Sequence, residues 1–213
     1  MQRLVWYFDF ISPFAYIQFS QFSRLPESVS VELKPILFAG LLQHWNNVGP
    51  AEIAPKRIFT YQHCHWRAGQ LGLPFKMPPA HPFNSLLGLR LAIACGNNPS
   101  AVGSIFNAIW REGYDLNSSM AAEYLQTHLA IDDLNAAASE QKVKDQLRAN
   151  TEQAAKEQVF GVPSFVTQET KPKLFWGLDA FDMLLDYLQD KSFFESEEMQ
   201  RISKLPEGTQ RKR

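Results

Sequence analysis

The chain has 213 residues, 45% of them hydrophobic and 13% aromatic, with 21 basic against 22 acidic side chains and a formal net charge of -1. That composition supplies a sizeable core and excludes wholesale disorder, and its charge balance offers no concentrated basic face for a nucleic acid. No apolar segment reaches the roughly 18 residues a membrane span needs.

The length suits one large domain or a domain carrying an insertion. The two cysteines, Cys64 and Cys95, are far apart and form no Cys-x-x-Cys, which fits a reducing compartment without a disulfide framework. The apolar start is too short, and interrupted too early by Asp9, to be a secretory signal, so a cytoplasmic location is expected. The basic end Gln210-Arg211-Lys212-Arg213 reads as a solvated tail.

In chain order, Leu4-Val5-Trp6-Tyr7-Phe8 is a run of aromatic and branched residues that predicts a short buried strand. Asp9 follows it and could tune a site or cap a turn. Ser12-Pro13 then opens a helix over roughly residues 13–24. Ser12 is the expected N-cap, and Pro13 suits the first helical position because its missing N–H would have no partner there. A strand entering a capped helix directs N–H groups and a positive dipole end at one point, which favours an anion or a thiolate. Ser28 to Pro35 alternates polar and apolar residues and predicts a second strand, so a parallel βαβ start is expected.

From Leu37 to about Asn150 the pattern is helical, punctuated by proline and glycine. Helices are predicted at 39–45, 55–71, 84–94, 100–111 and 120–129, with two more within 133–157. The segment Leu73 to Pro82 carries too many prolines for regular structure. His63-Cys64-His65 has no spacing suited to a structural zinc site, and no metal is expected. His81 in the proline-rich segment reads as structural, Cys95 as a small buried hydrophobe, and Lys142-Val143-Lys144 as a solvated helix face.

Strand character returns at Ser164-Phe165-Val166-Thr167 and Lys173-Leu174-Phe175-Trp176, a predicted hairpin, before a helix over about 179–189 and a polar tail after Ser192. Val162-Pro163 enters the first of these strands behind Gly161, a candidate cis bond whose preceding residue exposes its backbone to an extended peptide-like ligand. Overall this is an α/β chain: residues 1–36 and 155–213 build one sheet-containing domain, and residues 37–154 form an inserted helical domain.

This combination resembles the thioredoxin superfamily and, through the helical insertion, its DsbA-like branch. The four residues at the nucleophile position are Ser12-Pro13-Phe14-Ala15 instead of Cys-x-x-Cys, so neither the attacking nor the resolving thiol of dithiol exchange is there. Ser12-Pro13-Phe14, Gly161-Val162-Pro163 and Phe175-Trp176-Gly177-Leu178-Asp179 are similar to the 2-hydroxychromene-2-carboxylate isomerases and to the kappa-class glutathione transferases. Gly49 to Arg57, followed by Phe59-Thr60-Tyr61, is similar to the isomerase branch.

The resemblance implies glutathione as cofactor, its thiolate steadied by Ser12. Phe14, Val162, Pro163, Trp176, Gly177, Leu178 and Asp179 would hold the tripeptide, Val162 by backbone pairing and Asp179 at the γ-glutamyl end. Asn47 matches a ligand-binding position, Trp45, Phe38, Tyr61 and Trp66 are candidate pocket walls, and a homodimer is implied. Ala180 and Val48 depart from the arginine and lysine common in that family. The expected activity is cis–trans isomerisation of an unsaturated aromatic carboxylate. The alternatives are a kappa-like transferase or peroxidase and a redox-inactive binding protein of the same fold.

Overall fold

A computed structural model of the chain describes residues 2–209, so the basic end at 210–213 lies outside the described residues. Four strands form one mixed sheet, built from β1 (Gln2–Phe8), β2 (Val29–Pro35), β3 (Ser164–Thr167) and β4 (Leu174–Trp176), in the spatial order β2-β1-β3-β4. β1 and β2 are parallel, joined through α1 (Pro13–Phe19), whereas β3 runs antiparallel to β1 and to β4. α1 is shorter than the predicted helix, because the chain turns at Ser20 and re-enters as a separate 3-10 turn at Phe22–Arg24.

Between β2 and β3 run α2 (Phe38–His44), α3 (Ala54–Gln70), α4 (Leu86–Ala94), α5 (Pro99–Phe106), α6 (Ser119–Leu129), α7 (Leu134–Ser139) and α8 (Gln141–Lys156). α5 continues into a π-helical turn at Asn107–Arg111. α9 (Ala180–Gln189) follows the sheet. The tail read as polar carries a further short helix, α10 (Glu197–Ile202), after a 3-10 turn whose Phe194 packs edge-on against Tyr187.

β1 is buried on both faces, as its unbroken apolar run requires. Leu4, Trp6 and Phe8 join one large cluster with Phe106 and Trp110 of the helical segment and Phe165 of β3. Val5 and Tyr7 point the other way, into a smaller cluster with Ile36, Leu41, Ala154 and Val166. Trp6 and Phe8 stack with ring centroids 4.5 Å apart, and Phe8 meets Phe10 edge-on at 5.3 Å. The helical segment is therefore continuous with the core of the sheet. Among the described residues no helix is long and apolar enough to cross a membrane.

Candidate active site

Everything the sequence singled out near Ser12 converges on the C-terminal end of β1. Ser12 caps α1: its backbone is extended (φ -89°, ψ 113°) and its Oγ accepts the Ala15 N–H at 3.2 Å. That bond uses an oxygen lone pair and leaves the hydroxyl proton without an acceptor among the described residues. Ser12 is buried to 8% exposure, and Phe14 lies half-buried beside it.

The antiparallel register Tyr7↔Ser164 carries the chain ahead of β3 alongside the end of β1. There the Val162–Pro163 bond is cis, and no turn or loop hydrogen bond of the described residues takes the Val162 N–H or C=O. The Pro163 carbonyl accepts the Gly177 N–H at 2.9 Å, which seats the turn after β4 against the proline. Gly177 is required there, with φ +88° and a Cβ position only 2.6 Å from Asp179 Oδ1. Gly161 is required for space, since a Cβ would sit 2.3 Å from Trp176 Nε1.

A buried glutamine ties this turn to α1. Gln18 Nε2 donates to the Gly177 carbonyl at 2.8 Å and its Oε1 accepts Trp6 Nε1–H at 2.6 Å. Leu178 packs onto the main core, and Asp179 stands exposed at the start of α9, with no cation paired to it among the described residues. Ser12, Val162, Pro163, Trp176, Gly177 and Asp179 are thus linked through one sheet end. Asn47 is less directly connected. It lies exposed on the loop after α2, which Trp45 fastens to the cis-proline side by donating Nε1–H to the Val159 carbonyl at 2.8 Å.

α3 packs against α1 and supplies an aromatic wall. His63 meets Phe14 and Phe59 at 5.7 Å each and Trp66 at 6.0 Å, ring centre to ring centre. Phe59 and Trp66 are 66% and 57% exposed, so neither belongs to the buried core. The site is aromatic-sided; a separate cleft of about 410 Å³, lined by Leu37, Arg90, Lys144 and Arg148, lies between α4 and α8.

Two polar groups beneath the site carry little sequence signal. Asp9 is 1% exposed; its Oδ1 accepts the Ile11 N–H at 3.1 Å and its Oδ2 the Phe38 N–H at 2.9 Å. Burial pushes its carboxyl above the ordinary 3.8, opposed by hydrogen bonds from Ser85, Phe38 and Ile11. His81 reaches the same turn, its Nε2 standing 2.7 Å from the Ile11 carbonyl. Burial lowers the His81 pKa, and the bond to Ile11 opposes that shift. In the sequence Asp9 stays open between tuning a site and capping a turn, and His81 reads as structural; no local pattern there joins either side chain to Ser12.

Cys95 is less buried than its reading as a small buried hydrophobe implies. Cys64 is fully buried on the inner face of α3, where burial pushes its thiol up to about 12, whereas Cys95 at the end of α4 is only partly buried. Its helix ends there in a turn, which leaves that side chain at the rim. Neither lies at the start of α1.

The family described as DSBA-like thioredoxin domain matches residues 3–189. The chain is 25% identical over 203 residues to glutathione S-transferase kappa 2 of Caenorhabditis elegans, covering 86% of this chain and 90% of that protein. It is 28% identical over 189 residues to a 2-hydroxychromene-2-carboxylate isomerase of Pseudomonas putida, covering 84% and 90%. A solved 2-hydroxychromene-2-carboxylate isomerase superposes with TM-score 0.74 at 22% identity, over 88% of this chain and 94% of that one. The matched residues 3–189 take in all four strands but for Gln2, and every helix from α1 to α9, and the chain belongs to the DsbA-like thioredoxin-domain family.

Proposed function

We propose that the protein is a glutathione-dependent cis–trans isomerase of the 2-hydroxychromene-2-carboxylate isomerase type, acting on an unsaturated aromatic carboxylate. The observation that carries this reading is a serine where a redox enzyme of this fold holds cysteine, at the same sheet end as a cis-proline; among the described residues the serine's hydroxyl proton is uncommitted and the backbone before the proline has no partner. Three groups match the three parts of a γ-glutamyl tripeptide. The Val162 N–H and C=O suit its central peptide, the Asp179 carboxylate, unpaired among the described residues, its ammonium, and the Ser12 hydroxyl its thiol.

Glutathione, when bound, supplies a thiolate that adds to the conjugated double bond, lets the resulting single bond rotate, and departs by elimination. The chain's own part is to keep that thiol ionised. An O–H donor and the positive dipole end of α1 favour the charged form, as they do at a reactive cysteine. Phe14, Phe59, His63 and Trp66 offer flat faces for the substrate's ring. Val48 and Ala180 supply no cation for the substrate carboxylate, so a basic group elsewhere, or none, meets it. We propose Asn47 as a substrate contact, residues 37–154 as the inserted helical domain, and a cytoplasmic homodimer as the working form.

Calorimetry with glutathione, with Ser12→Ala and Asp179→Ala alongside the wild type, tests the reading. Asp179→Ala should weaken binding about 10-fold or more, as loss of a charge-assisted bond does. Ser12→Ala should retain binding but lose isomerisation by about 10²-fold or more, the scale of one lost transition-state donor. Isomerase activity unchanged in Ser12→Ala would sink the mechanism. The match to a kappa-class relative keeps a second reading open, glutathione transfer to an electrophile, and turnover of chlorodinitrobenzene without isomerase activity would favour it.

A further inference from the structure

The peptide unit linking Ile11 to Ser12 is held at both of its polar ends. Its N–H, on Ser12, donates to the Asp9 carbonyl at 3.0 Å. Its carbonyl, on Ile11, receives His81 Nε2 at 2.7 Å, a contact spanning 70 residues of chain. A carbonyl only accepts, so the ring carries its proton on Nε2. On the far side the ring is fixed by Tyr61 of α3. The Tyr61 hydroxyl stands 2.9 Å from His81 Nδ1 and 2.7 Å from the His81 carbonyl, its proton available to either acceptor. Trp110 and Phe83 close on the imidazole at 5.7 and 5.8 Å between ring centres, and Trp110 Nε1 binds the Phe10 carbonyl at 2.9 Å.

The plane of that peptide sets the direction from which the Ser12 side chain departs. A tilt of about 20–30° displaces a hydroxyl by roughly 1 Å, enough to cost about 10²-fold where a reacting group must be placed. We propose that His81 is a positioning residue for Ser12, through which the segment between β2 and β3 aims the serine hydroxyl at the bound thiol. Tyr61 serves it by holding the ring upright. The inference rests on the reading of Ser12 as the thiol's partner, and it adds a residue that never touches the cofactor.

The experiment compares wild type with H81L, H81Q and H81N. The amide nitrogen of glutamine falls at the distance of Nε2, whereas that of asparagine falls at the distance of Nδ1. Binding of S-methylglutathione, which has no thiol to ionise, should stay within about threefold in all four proteins. The ultraviolet titration of the bound glutathione thiolate should shift upward by about one pH unit in H81L and H81N, and return in H81Q to within about half a unit of wild type. In the ligand-free proteins, amide exchange at Ile11, Ser12 and Ala15 should quicken about tenfold in H81L and H81N and not in H81Q. Equal thiolate titrations in all four, or an H81Q as impaired as H81L, overturn the positioning role. A wild type that binds S-methylglutathione yet never shows a thiolate overturns the reading of Ser12 instead, and the exchange rates still decide whether His81 holds the turn.

Discussion

Asp9 is the residue whose environment departs furthest from what its sequence neighbours suggest. It sits fully inside the protein beneath the Ser12 turn, receiving two backbone N–H groups, and burial raises its pKa above 3.8. The sign of the pH effect follows from that direction. The folded state holds its proton more tightly than the unfolded chain, so its contribution to stability is greatest below pH 3.8 and is lost as pH rises through the higher folded value. Asp9→Asn, which cannot ionise, should show a flatter dependence of unfolding free energy on pH across that window. It should also be less stable by about 1–3 kcal/mol at the acid end, because an amide nitrogen must face one of the two N–H donors. Urea unfolding at a series of pH values checks both, and parallel curves for the two proteins would remove Asp9 as the source. At this scale the sequence was informative about residues whose chemistry is local. Ser12 as a cap and the glycine at 177 are dictated by their immediate neighbours. The roles of Asp9 and His81 depend on partners 29 and 70 residues away, which no local pattern displays.

Elements were more legible than side-chain networks, for a physical reason. Periodicity and capping are encoded within a few residues, so the four strands and most of the helices fall where alternation, Ser-Pro and Asn-Pro starts place them. The failures are at ends. α1 stops at Phe19 because the segment beyond it turns to deliver Phe22 edge-on to Trp6, a tertiary demand that overrides helical spacing. α10 is missed because its residues are polar and its anchoring ring, Phe194, lies outside it. The element that couples sheet to site is α1, by way of Gln18. With Trp6 Nε1 and the Gly177 carbonyl both depending on it, Gln18→Leu leaves one buried and one part-buried polar group without these partners. The expected cost is about 2–4 kcal/mol in chemical denaturation, from two such groups at about 1–3 kcal/mol less some gain in apolar burial. A variant within about 0.5 kcal/mol of wild type would show that water replaces the glutamine freely.

For the molecule as a whole, the consequence of one core running through sheet and helical segment is that site and stability are coupled. Phe8 and Phe10 on the approach to Ser12 pack directly on Phe106, and Trp110 reaches back to the Phe10 carbonyl, so the segment that supports the serine also closes the main cluster. Thermal unfolding should accordingly be a single cooperative transition, without a separate melt of residues 37–154. A ligand bound only by the native site then raises the stability of the entire chain. At about 100 times its dissociation constant glutathione should add about 2.7 kcal/mol, a shift in Tm of roughly 5–10 °C for a chain of this size. The same concentration should move Asp179→Ala by less than about half as much, since the γ-glutamyl end loses its counter-charge, while Cys64→Ala, a change in the buried interior away from Ser12, should begin from a lower Tm and keep the full shift. Two resolved transitions, with glutathione moving only one of them, would mean that the helical segment melts independently and that the continuity of the core does not carry the coupling.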